Sequence, residues 1–327
     1  MKYFVTGATG FVGSHVARQL VEQGHEVIVS ARAPAKAKEL AALGVTITQG
    51  DVTDKESMRA PMQGVDGVFH IAGWYKVGVR DKSDGSSINI QGTRNVLELM
   101  QELGIKKGVY TSTLAVNSDT HGVLVDESYH YHGKHLSEYD RTKWVAHYEV
   151  AESMIAAGLP LVIVMPGLIY GPGDTSTVRT LFIQYLQRKL PVLPAQTAFS
   201  WAHVEDIARG HILAMEQGQV GESYIIAGPT HTLVEGMQVA QKITGVPAPR
   251  IKVAPGVMKA MSATMGMVEK IFPVPADYSA EYLRISAGVT YIGSNARARR
   301  ELGYNPRPLE EGLSDTLQHE MKLLGMK

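Results

Sequence analysis

Thr6-Gly7-Ala8-Thr9-Gly10-Phe11-Val12-Gly13 is the stretch that decides the fold. Before it lies a short apolar run, Lys2 to Thr6, that reads as a strand. After it, Phe11 to Gln23 has helical periodicity and stops at Gly24. Gly7, Gly10 and Gly13 are spaced by three. Glycine permits the tight turn and lets backbone N–H groups approach a pyrophosphate, and a helix N-terminus near Phe11 adds favourable partial charge. A tight turn without a ligand has the same spacing. A strand before, a helix after and a second strand ending near residue 30 favour a dinucleotide site.

Working outward, Glu26 to Ser30 and Val45 to Gln49 read as the second and third strands. Val65 to Ile71, Gly108 to Ser112 and Leu161 to Met165 are further apolar runs. Helical patterns lie between most of them, such as Gly92 to Leu103, ended by Gly104. Continuous apolar strands separated by helices imply a parallel sheet covered on both faces. The expected class is α/β, a Rossmann-type doubly wound parallel sheet with a smaller, discontinuous C-terminal region. Beyond about Gly171 the pattern loosens, and Tyr224 to Ala227 reads as one more core strand after an excursion. The dinucleotide-binding domain is therefore expected over 1–170 plus about 203–228. The smaller substrate-binding region then takes about 171–202 and 229–327. Met258, Met261, Met265 and Met267 fit a helix packing over apolar surface, or bordering a substrate pocket.

Composition narrows the function classes. The chain has 327 residues, 44% of them hydrophobic, with 32 basic and 32 acidic side chains. That balance points to neither nucleic acid nor an anionic membrane surface. No cysteine is present, which excludes disulfides, thiolate catalysis and cysteine-ligated metals. No window approaches the roughly 20 apolar residues of a membrane helix, and the first residues run straight into glycines rather than reading as a signal peptide. A soluble cytoplasmic protein is expected.

The end of the second strand bears on cofactor choice. An acidic residue there bonds a ribose 2′-hydroxyl and repels a 2′-phosphate. Here the strand ends Ser30-Ala31-Arg32, with Lys36 and Lys38 following. A guanidinium matches a phosphate through paired donors, so NADP(H) is expected in preference to NAD(H), with NAD(H) still possible. A solvated basic surface is the alternative. After the third strand, Asp51 of Gly50-Asp51-Val52-Thr53-Asp54 can accept a hydrogen bond from an adenine amino group, or Asp51 or Thr53 can cap the next helix. Asp54 and Ser57 are expected to serve structural ends.

Tyr139 and Lys143 are four residues apart and share one face if 138–146 is helical. A free phenol titrates near ~10 and a nearby ammonium lowers that value toward the working range. The tyrosine can then protonate a carbonyl oxygen as hydride reaches its carbon, and the lysine can also hold the nicotinamide ribose. Thr111, Ser112 and Thr113 follow the Gly108 strand, where ligands bind in open α/β sheets; any of them can instead satisfy backbone groups.

Taken with the turn, these pieces resemble the extended short-chain dehydrogenase/reductase superfamily, and within it the dihydroflavonol-reductase-like branch. The matching stretches are TGATGFVG at 6–13, GDVTD at 50–54, FHIAG at 69–73, NIQGTRNVLE at 89–98, YTSTLAV at 110–116, YDRTK at 139–143 and PGLIYGPGD at 166–174. HVEDIARGHILAME at 203–216 and LGYNPRPLEEGL at 302–313 agree too, so the likeness covers nearly the whole chain. The resemblance selects Thr113 over Ser112 as the third catalytic residue beside Tyr139 and Lys143. It implies that Gly7, Thr9, Gly10, Phe11, Val12, Arg32, Asp51, Val52, Ala72, Gly73, Lys143 and Pro166 line the cofactor, with Asn89 ordering the site. Gly13, Lys36, Thr111 and Tyr139 join the cofactor set. Met165 stands where many relatives carry Arg or Asn, which unsettles local contacts. Thr113 replaces a common Ser, one hydroxyl for another.

For the substrate, Trp74 and Tyr75 open a long loop after FHIAG and can stack on a ring or apolar group. With Tyr170, Phe199 and Trp201 they suggest an apolar pocket; equally, they can pack two lobes together. Sugar-nucleotide epimerases hold a diphosphate with basic residues, for which Arg179, Arg188 and Lys189 are the candidates, without a clear cluster. A small-molecule ketone or aldehyde, reduced to an alcohol, is therefore expected. An epimerase or dehydratase is the alternative, and a non-catalytic NADP(H) sensor a further one. The tract Tyr129-His130-Tyr131-His132-Gly133-Lys134-His135 reads as a loop at the substrate edge, with His135 nearest Tyr139, rather than as a metal site. A homodimer through helices near 89–103 and 139–157 is implied at the family level.

Overall fold

The computed structural model describes residues 1–326, with Lys36 described by its backbone alone, so the cofactor contact expected of the Lys36 side chain lies outside the described residues. Strands β1 Lys2–Thr6, β2 Glu26–Ala31, β3 Thr46–Gln49, β4 Gly67–His70, β5 Gly108–Thr111 and β6 Leu161–Pro166 come first. The chain then forms β7 Leu168–Tyr170, β8 Val192–Pro194 and β9 Ala198–His203 before β10 Ser223–Ile226. β11 Thr230–Thr232, β12 Ile251–Val253 and β13 Thr290–Tyr291 follow.

Seven of these make one sheet in the order β10-β6-β5-β4-β1-β2-β3, with each neighbouring pair parallel. The chain winds one way from β1 and the other way from β4. The crevice between the carboxyl ends of β1 and β4 is thus the switch point where such sheets bind ligands. Alternation along the strands feeds two cores. Val5, Val29, Phe69, Val109 and Val164 pack with Val16, Leu20, Ile207 and Ile212 on one face. Phe4, Ile28, Val68, Tyr110 and Ile163 pack with Val96, Leu99, Ala146 and Val150 on the other. Each Val, Leu, Ile or Phe among them contributes about 1.5–3 kcal/mol by leaving water.

The excursion between β6 and β10, with the later chain, builds a second set of sheets. β9 pairs with β7 and β13 in parallel and with β11 antiparallel, and β8 pairs with β12. The helix expected over 92–103 starts earlier, because the chain is already wound as π-helix over Gly85–Gly92 before Thr93–Glu102. A second π-helical stretch, Val145–Glu152, continues the helix Glu138–Trp144. The methionine-rich segment is a helix, Pro255–Val268, but only Met258 and Ser262 on it are buried.

Candidate active site

The glycine turn folds as its chemistry requires. Gly7 has φ +74°, and a Cβ on it would come 2.5 Å from the backbone N of Ala72, just past β4. The loops after β1 and β4 therefore touch at the switch point, which any side chain at 7 prevents. A Cβ on Gly13 would strike the Gly7 carbonyl. Gly10 donates to the Gly7 carbonyl at 2.9 Å and stands at the N-cap of the helix Phe11–Glu22 without a side-chain cap. That leaves first-turn N–H groups for an anion. Thr9 and Gly10 are exposed, Phe11 and Val12 half-buried, and Gly13 buried. Arg32, exposed, directly follows β2.

The neighbouring candidates vary in how open they are. Asp51 is half-buried and holds Thr53 through its backbone N at 2.9 Å and its hydroxyl at 2.8 Å, so it closes a local turn rather than capping the next helix. Ser57 does serve a structural end, donating to the Asp54 carbonyl at 2.6 Å. Val52 is buried, and its carbonyl accepts from Asn95 at 2.7 Å. Ala72 is half-buried, Gly73 exposed, and Pro166 closes β6 in the interior.

Three consecutive hydroxyls end β5, and the structure separates them. Thr111 Oγ1 pairs with His211 Nε2 at 2.8 Å, and Ser112 Oγ with His147 Nδ1 at 2.6 Å. Both histidines are buried, and burial holds each below its ordinary value, His211 at about 4. They are neutral structural partners. The Thr111 hydroxyl, expected at the cofactor, is engaged there; its carbonyl accepts from Lys143 at 2.7 Å. Thr113 instead lies beside Tyr139, and its hydroxyl pulls the phenol down. Its Oγ1 also accepts from Ala115 N at 3.1 Å.

Tyr139 and Lys143 lie on one helix, Glu138–Trp144, capped by Ser137, whose Oγ accepts from Asp140 N at 3.0 Å. The Lys143 ammonium turns to Tyr110 Oη at 3.0 Å and the Thr111 carbonyl, and burial alone pulls it down to about 7. Tyr139 is pushed up to about 12, first by burial and then by Asp140, against the pull of the Thr113 hydrogen bond. Desolvation makes the lysine's own charge costly.

Other residues bind this arrangement together without having stood out in the sequence. Tyr110 stacks on His70 with ring centres 5.5 Å apart, and His70 spans Thr6 Oγ1 at 2.8 Å and Thr93 Oγ1 at 3.0 Å. Burial keeps His70 neutral, at about 3. A connected path thus runs from the strand before the glycine turn to Lys143. Asp140 is buried beside Tyr139, accepting from Ser137 Oγ at 2.7 Å and Tyr291 Oη at 3.1 Å, and burial raises it to about 7. Asn89 accepts from Trp74 N at 2.7 Å and donates to Thr142 Oγ1 at 2.9 Å, linking the aromatic loop to the Tyr139 helix. Glu281 accepts from Glu138 N at 2.6 Å and Gly78 N at 2.9 Å, joining the same loop and helix to the second lobe.

The expected substrate aromatics divide. Tyr75 is exposed, whereas Trp74 is buried against Gly85. Tyr170 and Trp201 are 1% and 0% exposed in the second lobe's core, 5.9 Å apart in an edge contact, with Trp201 Nε1 donating to the His231 carbonyl. They are packing residues, because β7 and β9 pair there and close the core over them. His135 lies between Tyr131 and Trp144, and burial lowers it. His130 stacks on His132 and Tyr148. Among the described residues no group of His, Asp or Glu is arranged to hold a metal ion.

The NAD dependent epimerase/dehydratase family model matches residues 3–227. A protein of Synechocystis sp. named for dihydroflavonol 4-reductase is 31% identical over 96% of this chain and 93% of its own. A 2-alkyl-3-oxoalkanoate reductase of Stenotrophomonas maltophilia is 30% identical over 96% of this chain and 97% of its own. The crystal structure of gox2253 superposes with a TM-score of 0.86 at 30% identity, covering 99% of both chains. Sugar-nucleotide epimerases and dehydratases, at 21% and 24% identity, share the fold. With the switch-point glycine turn and a match over most of its length, the chain belongs to the NAD dependent epimerase/dehydratase family of the extended short-chain dehydrogenase/reductase type and is an enzyme acting on alcohol and carbonyl groups.

Proposed function

We propose that the chain reduces a ketone or aldehyde to an alcohol with NADPH. What supports this reading is Tyr139 on the helix Glu138–Trp144 with Thr113 beside it just past β5, while histidines occupy the two neighbouring hydroxyls. The glycine turn fits a pyrophosphate, since Gly7 and Gly13 let the backbone close tightly at the switch point and the helix start has no side-chain cap. Gly7, Thr9, Gly10, Phe11, Val12 and Gly13 hold that group, Arg32 takes the 2′-phosphate, and Lys143 holds the ribose. When bound, the nicotinamide supplies the hydride.

Tyr139, held near 12, carries its proton at neutral pH, the state a donor needs. It passes that proton from Oη to the substrate oxygen as negative charge develops there. Thr113 donates its own O–H to the same oxygen and fixes its place. The two relatives with about 30% identity are both named as reductases, which supports this direction.

The family's name also supports a second reading, epimerisation or dehydration, at the same residues. Against it, Arg179, a candidate for holding a diphosphate, is committed to the buried Glu320 at 2.8 Å. A panel of ketones, aldehydes and sugar nucleotides, followed by NADPH absorbance, decides. Net consumption with an uncharged carbonyl supports reduction. Conversion of a sugar nucleotide with no net consumption, or cofactor binding with no turnover at all, overturns it.

A further inference from the structure

Large exposed apolar side chains concentrate on one segment of the second lobe. Ile251, Val257, Met261, Met267, Ile271, Phe272 and Tyr278 are all between 47% and 74% exposed. On the helix Pro255–Val268 the exposure has a direction. Val257, Ala260, Met261, Thr264 and Met267 fall on one side at helical spacing, and all are exposed. That side carries no charge, and its one hydroxyl, Thr264 Oγ1, is turned back to the Ala260 carbonyl at 3.0 Å. The opposite side packs inward, with Met258 and Ser262 buried and Ser262 Oγ donating to the Ala280 carbonyl at 2.7 Å.

Charge around this face is strongly one-sided in a chain whose formal net charge is zero. Arg80, Arg250, Lys252, Lys259, Lys270 and Arg284 are exposed on or beside it. Of the nearby acids, Glu269 turns inward to Ala280 N at 2.7 Å, and Glu281 is buried on Glu138 and Gly78. Asp277 and, next to Arg80, Asp81 remain exposed. Arg80 anchors the end of the segment through the Phe272 carbonyl at 3.0 Å. A groove of about 420 Å³ between this helix and Ala280–Ile285 has Lys259 and Arg284 with small residues Ala263, Gly266 and Ala280 along it. An uncharged apolar face rimmed by cations matches an in-plane helix at an anionic bilayer surface.

We propose that the face formed by Val257, Met261, Met267, Ile271 and Phe272 docks on anionic phospholipid, with Lys259 and Lys270 contacting the headgroups. Docking here does not depend on the reaction proposed above. Averaged over the whole sequence, the charge balance hides such a patch, which lies mostly within residues 250–284.

Flotation of the full chain with vesicles of phosphatidylcholine alone, and of phosphatidylcholine with phosphatidylglycerol, tests the proposal. Binding is expected only with the phosphatidylglycerol vesicles and is expected to weaken as salt is added. Lys259→Glu with Lys270→Glu should weaken it about twentyfold or more, since each lysine at such a surface is worth about fivefold. Ile271→Asp with Phe272→Asp should abolish it, with an unchanged melting temperature as the check on folding. Absence of flotation with both vesicles, or flotation that survives both double variants, overturns the proposal. So does a concentration-dependent mass that Ile271→Asp with Phe272→Asp abolishes, which would make the occupant a second copy of the chain.

Discussion

Lys143 donates to the Tyr110 phenol at 3.0 Å, with its ammonium 4.6 Å from the centre of that ring. The charge is thus enclosed by an aromatic side chain and one carbonyl rather than by an acid, and burial lowers it to about 7. In the unfolded chain the same lysine titrates near ~10.4. Below pH 7 the folded state bears the whole cost of a buried cation. Above it the folded state has lost a proton that the unfolded state keeps, so stability rises with pH across that window. Lys143→Met should therefore raise the melting temperature most below about pH 7, with the gain shrinking toward about pH 10. Thermal melts of both proteins across that range check it; a gain independent of pH contradicts it.

Asp140 should show the opposite slope. Burial raises it to about 7, so between the unfolded value of ~3.9 and 7 the folded state holds a proton the unfolded state has released. Wild-type stability from this group falls as pH rises through that window. Asp140→Asn, whose Oδ1 can accept from one of the two hydroxyls while its amide N–H donates to the other, should gain stability relative to wild type from about pH 4 to about pH 7 and level off above. Paired denaturant titrations read the difference directly.

Ser112 and Thr113 are adjacent hydroxyls with different expected losses. Ser112→Ala leaves the buried His147 Nδ1 without its partner and should cost about 1–3 kcal/mol of stability while kcat changes little. Thr113→Val keeps the shape but removes a donor to the reacting oxygen, and should lower kcat by about 10²–10³ while costing about 1 kcal/mol through the lost Ala115 N–H bond. Urea midpoints and steady-state kinetics on both variants separate the two roles.

Arg32→Asp should exchange attraction of a 2′-phosphate for repulsion, and a carboxylate there favours a ribose hydroxyl. The ratio of kcat/KM for NADPH over that for NADH should fall by at least about tenfold. An unchanged ratio would mean that Arg32 is only a solvated surface cation.

Local chemistry made part of this legible from sequence. The strand–glycine–helix unit depends on residues adjacent in the chain, and Gly7 and Gly13 are dictated by backbone clearance. Tyr139 and Lys143 share a helix because spacing alone decides that. Where the Lys143 side chain turns is not local: Tyr110 lies 33 residues away, and i, i+4 spacing says nothing about it. His211 reaches Thr111 across 100 residues, and Tyr291 reaches Asp140 across 151. Tyr170 and Trp201 look the same in sequence whether they line a pocket or fill a core; the β7–β9 pairing places them in the core. Nothing local marks Asp140, because its burial and its Tyr291 partner come from β13, far along the chain.

The most direct test of the central claim is Tyr139→Phe under single-turnover conditions, reading NADPH oxidation with a carbonyl that wild type reduces and NADPH affinity by fluorescence. The account predicts that hydride transfer falls by about 10²–10⁴ while NADPH affinity changes little. Turnover near the wild-type rate in this variant would show that the proton comes from elsewhere and would contradict the account.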